Sequence, residues 1–276
     1  MGLVRRLAVW LGGVIAGVAV AASASAAPVV FSLDQCADEY VLALAPRGDI
    51  AGLSYRADDA DSYLRAQAKG LPLRRASLES VLASRPDVVV RYWGGDELMA
   101  RRLAERGVKV VKIDDADDFE GVRANVRRVA AALGRQGAGE ALIAHMDAEL
   151  RAARGAWGGR RALYLTPGGF TAGRETLVGA MMAAAGLVDA APSPGFAPVS
   201  LERLTIDPPD GLVLGFFDRD SLQTQNWSMG RRGALKLIAS GRTLAVLPGA
   251  ILGCPGWFAA DGARDLAQSA PSHGRP

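Results

Sequence analysis

Aromatic side chains in this sequence recur at one kind of position, in or near the loops that follow short apolar runs. These runs predict buried β-strands. The set comprises Tyr55, Tyr92, Trp93, Phe170, Phe217, Trp227 and Trp257. Because aromatic residues make up only 6% of the chain, their concentration in these loops indicates a binding surface. A large planar or chelate ligand needs a mostly apolar cleft of this kind with a few polar anchors.

Two arginines in the same loops are candidates for the polar anchors. Arg56 directly follows Tyr55, and Arg174 lies four residues after Phe170. A guanidinium group can pair with ligand carboxylates or catecholates through its fixed set of N–H donors. The alternative is that each aromatic packs at the rim of the fold and that each arginine is an ordinary surface residue. The sequence leaves both interpretations open.

Histidine is scarce, which limits metal and catalytic chemistry. The chain contains only His145, inside a predicted helix, and His273, near its end. We find no cluster of His, Asp and Glu at ligand spacing, so we expect no metal site and place His145 on a helix surface. Neither histidine is well placed for a Ser-His-Asp or Cys-His pair, so no catalytic residue is predicted. An exported α/β enzyme acting on a small polar substrate remains the rival hypothesis.

The first 26 residues have the pattern of a secretory signal peptide. Arg5 and Arg6 precede an apolar run from Leu7 to Val20, and Ala24-Ser25-Ala26 resembles a cleavage site. An uncleaved anchor is the alternative, although the run is short for a membrane span. Cleavage would leave 250 of the 276 residues and lower the net charge from +3 to +1, so the basic pI does not indicate nucleic-acid binding. We expect a soluble, exported protein with a frayed tail over residues 269–276.

The two cysteines are expected in loops near the cleft, one in each half of the chain. Export permits a disulfide between Cys36 and Cys254. A bond that closes so long a loop would stabilise the fold by about 4–5 kcal/mol on the chain-entropy estimate. Two free, buried thiols are the alternative.

Short apolar strands alternate with amphipathic helices along the chain, which predicts parallel sheets covered on both faces. The predicted strands are 29–31, 50–53, 88–90, 108–113, 162–165, 211–214 and 244–247. The predicted helices are 39–44, 97–106, 117–133, 137–155, 175–185, 259–268 and a segment near 233–239.

A repeated segment indicates that the two halves share one design. Ser77-Leu78-Glu79, followed by Pro86-Asp87, recurs as Ser200-Leu201-Glu202, followed by Pro209-Asp210, with a constant offset of 123 residues. We therefore predict an α/β fold of two Rossmann-like lobes, 28–135 and 157–268, joined by a single long helix within 136–156. Ligands of open α/β sheets bind outside the carboxyl ends of the strands. Two facing lobes would place the aromatic loops on opposing walls of one cleft.

Several motifs together resemble a known family. They are Cys36-Ala37-Asp38, Ile50-Ala51-Gly52-Leu53-Ser54, the two Ser-Leu-Glu…Pro-Asp units, Gly168-Gly169-Phe170-Thr171 and Gly253-Cys254-Pro255-Gly256-Trp257. With the signal peptide, they resemble the periplasmic substrate-binding proteins of ABC importers for iron–siderophore complexes, haem and cobalamin. The resemblance implies two lobes on a rigid helix that move little on binding. It also implies that one acidic residue per lobe, Glu79 and Glu202, docks onto arginines of the permease.

These observations lead to one expected function. We expect a monomeric periplasmic binding protein that delivers an iron–siderophore complex or cobalamin, with haem as a further candidate, to an ABC permease dimer in the inner membrane. The ligand is cargo, so no cofactor is expected, and no nucleic acid is an expected partner. A binding protein for an unrelated organic solute is the remaining alternative.

Overall fold

The computed structural model describes residues 27–217 and 241–271 of the chain. The first half forms one parallel sheet with strand order β3-β2-β1-β4-β5, the doubly wound order of a Rossmann-like unit. Its elements are β1 (Val30–Ser32), α1 (Gln35–Leu44), β2 (Ile50–Ser54), α2 (Arg65–Ala68), β3 (Leu73–Arg74), α3 (Leu78–Ala83), β4 (Val88–Arg91), α4 (Glu97–Ala104), β5 (Lys109–Lys112) and α5 (Phe119–Ala132).

The second half forms a separate parallel sheet with strand order β11-β10-β6-β8, and a small antiparallel ribbon of β7 and β9. Its elements are α6 (Gln136–Ala153), β6 (Arg161–Leu165), β7 (Phe170–Ala172), α7 (Leu177–Ala184), β8 (Val188–Asp189), β9 (Phe196–Pro198), α8 (Leu201–Ile206), β10 (Gly211–Gly215), β11 (Thr243–Leu247), α9 (Gly249–Leu252) and α10 (Ala259–Gln268). Two separate sheets on either side of α6 confirm the predicted two-lobed α/β architecture. The helix predicted near residues 233–239 lies outside the described residues.

The two copies of the repeated segment fold alike at their helix starts. Ser77 is the N-cap of α3, and its side chain accepts a hydrogen bond from the backbone N–H of Ser80. Ser200 caps α8 in the same way and accepts from the N–H of Arg203. A serine at this position satisfies a helix N–H group that has no partner within the helix.

The Pro-Asp pairs of the two copies anchor equivalent strands. The Asp87 carboxylate accepts a hydrogen bond of 2.8 Å from the backbone N–H of Val29, immediately before β1. The Asp210 carboxylate accepts one of 3.2 Å from the N–H of Arg161, the first residue of β6. β4 pairs with β1 as β10 pairs with β6, so each aspartate holds the start of its neighbouring central strand. The offset of 123 residues therefore reflects a shared supersecondary unit.

The long helix α6 packs one apolar face against both halves. It runs from Gln136 to Ala153, and its side chains at Met146 and Ala153 are fully buried. It contacts α5 of the first half and α10 of the second half. Gly155 follows in the left-handed region with a φ of 70°, which suits the turn that ends the helix. Within residues 27–217 and 241–271, every helix is too short or too polar to span a bilayer.

The two halves also contact each other directly, through a disulfide and a pair of aromatic rings that do not belong to α6. Cys36 and Cys254 form a disulfide with a Cα–Cα distance of 5.3 Å. The Tyr40 ring meets the Trp257 ring edge-on at 5.4 Å. The expectation that Cys36 lies in a loop is wrong, because the residue belongs to the first turn of α1. One hydrophobic core consequently extends through both lobes.

Candidate functional site

A cavity of about 400 Å³ opens between the two lobes at the carboxyl ends of their strands. The first lobe contributes the loops after β4 and β5, through Tyr92, Asp115, Ala116 and Asp117. The second lobe contributes the start of α7, β9, α9 and the loop that follows α9, through Leu177, Val178, Met181, Phe196 and residues 251–255. This volume lies within the range of small-molecule sites.

Five aromatic side chains are exposed among the described residues, and all five lie at this edge of the molecule or on the adjoining ribbon. Their exposure ranges from 40% to 71%. They are Tyr55 after β2, Trp93 after β4, Phe217 after β10, and Phe170 and Phe196 in β7 and β9. Large aromatics usually bury their surface, so an exposed group in one region marks a contact surface for another molecule.

The ribbon of β7 and β9 presents two of these rings on one face. Phe170 pairs with Pro198, and Ala172 pairs with Phe196. Phe170 lies opposite Pro198, and Phe196 is two residues before Pro198, so the side chains of Phe170 and Phe196 lie on the same face. The two rings are therefore diagonal neighbours. Phe196 also lines the cavity. The sequence does not point to Phe196, because the segment around it contains three prolines and shows no strand pattern.

The loop after β4, which carries Tyr92 and Trp93, is held by a buried carboxylate. Asp34 accepts hydrogen bonds of 2.7 Å from the backbone N–H of Tyr92 and 2.8 Å from that of Gly94. A Cβ atom at Gly94 would lie 2.6 Å from the carbonyl oxygen of Leu33, so only glycine allows this approach. The loop therefore has little freedom to shift, and Tyr92 is fixed against the cavity.

The hydroxyl group of Tyr92 donates a hydrogen bond to Asp115 in the neighbouring loop. Burial raises the pKa of Tyr92, and the interaction with Asp115 raises it further. The phenol consequently stays protonated at neutral pH. Tyr92 therefore forms part of this wall of the cavity, and its hydroxyl proton is already donated to Asp115.

The loop after β2, which carries Tyr55 and Arg56, is held by two further carboxylates of α1. Asp38 accepts from the backbone N–H of Ser54 at 2.8 Å and from its hydroxyl at 2.6 Å. Glu39 accepts from the Ser62 hydroxyl and from the backbone N–H groups of the next two residues, at 2.7–2.8 Å. Burial raises the pKa of Asp38 to about 6 and that of Glu39 to about 7. These positioning residues were not recognised in the sequence.

The two predicted arginine anchors differ in how they are engaged. Arg56 donates to Asp59 at 2.9 Å and lies 3.6 Å from Asp61, within its own loop. Arg174 is well exposed and lies 3.7 Å from Glu175 in a loose surface pair. A surface pair of this kind contributes little to stability. Arg174 is therefore the arginine more available to a ligand.

Trp257 is not part of the exposed surface, contrary to the prediction. It is 4% exposed and packs between the rings of Tyr40 and Phe258. Cys254, three residues before Trp257, is bonded to Cys36 and holds this loop against α1. The indole therefore packs in the core between the lobes. Trp227 lies outside the described residues.

Glu79 and Glu202 are exposed in the first turns of α3 and α8. Hydrogen bonds with its own backbone N–H and with Ser77 lower the pKa of Glu79. The helix dipole also favours a carboxylate at such a position. Both acids therefore present a negative charge at equivalent places of the two lobes.

A second cluster of polar side chains lies outside the cavity lining. His145 and Glu149 of α6 approach Asp261 of α10, and one potential ligand atom from each lies within 4.8 Å of the others. The sequence analysis found no such cluster, because Asp261 is more than a hundred residues away from the other two in the chain. His145 is half exposed, as expected for a helix-surface residue.

The family model described as "Periplasmic binding protein" matches residues 30–215, about two thirds of the chain. No curated protein matches the sequence significantly.

Solved structures with the same fold include three periplasmic binding proteins. The heme-binding protein RhuT from Roseiflexus sp. RS-1, in apo form, is 25% identical, with a TM-score of 0.66 over 88% of this chain and 97% of that one. A heme-binding protein from Pseudomonas aeruginosa is 23% identical, with a TM-score of 0.66 over 90% and 95%. The vitamin B12-binding protein BtuF of Vibrio cholerae is 14% identical, with a TM-score of 0.61 over 89% and 99%.

Proposed function

Because the chain belongs to the family of periplasmic binding proteins, we propose that it captures a metal chelate and delivers it to an ABC importer. The chelate class comprises haem, cobalamin and iron–siderophore complexes. The observation that carries this proposal is that all five exposed aromatics of the described residues lie after the carboxyl ends of strands or on the β7–β9 ribbon, and that one of them, Phe196, lines the cavity between the lobes. Flat macrocycles and chelates bury large apolar faces against such rings.

The walls of the cleft suit a ligand larger than the cavity itself. Trp93 adjoins Tyr92 on the first lobe, and Phe170 adjoins Phe196 on the second. A planar ligand seated between them would fill the cavity and cover the rings at its rim. We assign contact roles to the predicted residues Tyr55, Arg56, Tyr92, Trp93, Phe170, Arg174 and Phe217.

Among the candidate ligands, haem has the support of a relative at 25% identity that binds it. Haem is planar, apolar over its faces and carries carboxylates at one edge. Arg174, exposed and only loosely paired with Glu175, suits such a carboxylate. Asp115 and Asp117 on the opposite wall would disfavour the same groups. The ligand's anionic edge would therefore face the second lobe.

We infer that the protein is a binding protein without catalytic activity. His145 is the one histidine within the described residues, and it is absent from the cavity lining. Both cysteines are engaged in the disulfide. The described lining of the cavity thus contains no histidine to act as the base for a serine or cysteine nucleophile.

We propose that residues 1–26, which lie outside the described residues, are a cleaved signal peptide and that the mature chain is a periplasmic monomer. We propose lobes at 28–135 and 157–268, with 136–156 as the linking segment and a tail at 269–276.

A ligand panel tests the proposed class. The mature protein, beginning at residue 27, is titrated with haem, cobalamin and ferric hydroxamate and catecholate siderophores, and is followed by absorbance and native mass spectrometry. We expect a 1:1 complex with one of these chelates and none with the metal-free siderophores or with free ferric ion. Failure of every chelate to bind would contradict the proposal.

We also propose that Glu79 and Glu202 guide docking onto the permease dimer. The two acids hold equivalent positions at exposed helix starts, one on each lobe. Matching arginines on a two-fold permease would orient the encounter and raise its rate.

Charge reversal separates docking from a simple capping effect. The double variant Glu79→Lys, Glu202→Lys should keep the wild-type ligand affinity but abolish transport in vesicles that contain the permease. Glu105→Lys, another exposed acid on the first lobe, is the matched control and should transport normally. Transport at the wild-type rate by the double variant would show that Glu79 and Glu202 only stabilise the starts of their helices and do not take part in docking.

A further inference from the structure

We propose that His145, Glu149 and Asp261 form a binding site for a divalent transition-metal ion of the Zn²⁺ type, between α6 and α10. The site lies outside the cavity lining and is separate from the proposed chelate cleft. Its ligand set of one imidazole and two carboxylates is one that Zn²⁺ accepts, with a water molecule in the fourth position.

The geometry brings one ligand atom from each side chain close to a common point. His145 and Glu149 are four residues apart on α6, and a ring nitrogen lies 3.8 Å from the Glu149 carboxylate. The other ring nitrogen lies 3.9 Å from Asp261 Oδ1. Both distances are too long for hydrogen bonds. These two distances involve different ring nitrogens, and one ligand atom from each side chain lies within 4.8 Å of the others. Because bonds of about 2.0–2.2 Å to a tetrahedral ion separate ligand atoms by roughly 3.4 Å, the three side chains must draw together for a single ring nitrogen to share the ion with both carboxylates.

The two carboxylates are already held in place by other residues. Asp261 is almost fully buried, and its Oδ2 accepts a hydrogen bond of 2.6 Å from the hydroxyl of Tyr63. Glu149 Oε2 accepts from Arg264 at 2.9 Å. In each case the other oxygen, Asp261 Oδ1 or Glu149 Oε1, faces His145. The ligand oxygens are therefore preorganised, and the half-exposed imidazole leaves a path for the ion.

The local charge favours a dication. Glu149, Asp261 and Asp265 contribute three negative charges, and Arg264 lies within 3.3 Å of all three carboxylates as their shared cation. Together, these three carboxylates and Arg264 carry an excess of two negative charges. Part of that charge is shielded from water, because Glu149 and Asp261 are largely buried. A divalent ion would neutralise that charge. Arg264 contacts Glu149 through Oε2, which points away from His145, but its Nη1 also lies 3.3 Å from Asp261 Oδ1, so the ion would share that oxygen with the guanidinium group.

Calorimetric titration with ZnCl₂ in metal-free buffer tests the site directly. Untagged protein beginning at residue 27 should bind one Zn²⁺ ion per chain, and its melting temperature should rise with the ion. His145→Ala, which changes an exposed side chain, should weaken binding by at least about tenfold and remove the thermal shift. Asp261→Asn should do the same.

The chain's other histidine supplies the matched control. His273→Ala removes the alternative imidazole in the tail and should bind Zn²⁺ as the wild type does. Circular dichroism confirms that each variant is folded. Absence of saturable 1:1 binding in the wild type would overturn the proposal, as would unchanged affinity in His145→Ala.

Discussion

Three buried carboxylates at the start of α1 determine where the aromatic loops of the first lobe lie. Asp34 binds the backbone after β4, Asp38 binds the end of β2, and Glu39 binds the loop that follows β2. Each of these residues is at most 1% exposed to solvent. Sequence reasoning overlooked them, because acids at a helix start are usually solvated and their partners here are 16 to 60 residues away.

The raised pKa of Glu39 predicts a dependence of stability on pH. Burial raises this pKa from 4.5 to about 7, so the folded state holds a proton that the unfolded state releases between these values. The free energy of unfolding should therefore fall as pH rises through this window, by up to about 1.4 kcal/mol per pH unit for one proton. Asp38, with a pKa of about 6, adds to the slope between roughly pH 4 and 6.

Urea denaturation at several values between pH 5 and 8 measures this slope. Glu39→Gln should flatten it most clearly near pH 7, where Asp38, with a pKa of about 6, is mostly ionised in the folded state as well. Glu140→Gln is the control, because its partner Arg127 lowers the pKa of Glu140 to below this window. Identical slopes in the wild type and in Glu39→Gln would show that Glu39 does not take up a proton on folding.

Trp257 and Phe196 show that residue type and position in the chain do not determine whether an aromatic side chain is buried or exposed. Both follow turn-forming residues, yet Trp257 is buried with Tyr40 and Phe258, whereas Phe196 is exposed in the cleft. Burial of Trp257 depends on a partner helix more than two hundred residues earlier in the chain. No local pattern reports such a contact.

At the scale of elements, the sequence predicts the buried central strands and the long helices well. β4, β6 and β10 are apolar runs flanked by turn residues, and hydrophobic burial alone identifies them. The edge strands β3 and β8 contain two residues each, too few for any periodicity. The ribbon of β7 and β9 was not predicted, because each strand has only three residues and β9 ends in Pro198 after a segment that contains Pro192 and Pro194.

The packing of α6 on α5 predicts opposite effects of the same substitution at two nearby glycines. A Cβ atom at Gly137 has no neighbour within 4 Å, whereas one at Gly139 would lie 2.6 Å from Ala130 Cβ. Gly137→Ala should raise the free energy of unfolding by about 0.5–1 kcal/mol through helix propensity. Gly139→Ala should lower it by about 1–3 kcal/mol through overpacking.

Chemical denaturation of the two variants measures both changes, and each variant controls for the other. The substitutions are chemically identical and lie two residues apart in one helix. A stabilising effect at Gly139 would show that α6 does not pack closely against α5. That result would contradict the described joint between the linking helix and the first lobe.

At the scale of the whole molecule, the internal repeat predicts two lobes but not the full joint between them. The disulfide links residues 218 positions apart, and Tyr63 reaches across to Asp261. Together with α6, these contacts join the two lobes at several places. The sequence permitted the disulfide without requiring it, because neither cysteine's position in space follows from local pattern.

If the ligand binds between the aromatic walls of the two lobes, as we propose, replacing an aromatic residue of either wall should lower the affinity. With the chelate identified by the ligand panel, Trp93→Ala and Phe170→Ala are compared with the wild type by calorimetry. Each should weaken binding by at least about 1 kcal/mol, roughly fivefold, because buried aromatics dominate such sites. Ile206→Ala, an exposed apolar control on α8, should bind normally. Unchanged affinity in both aromatic variants would place the ligand elsewhere and contradict the account.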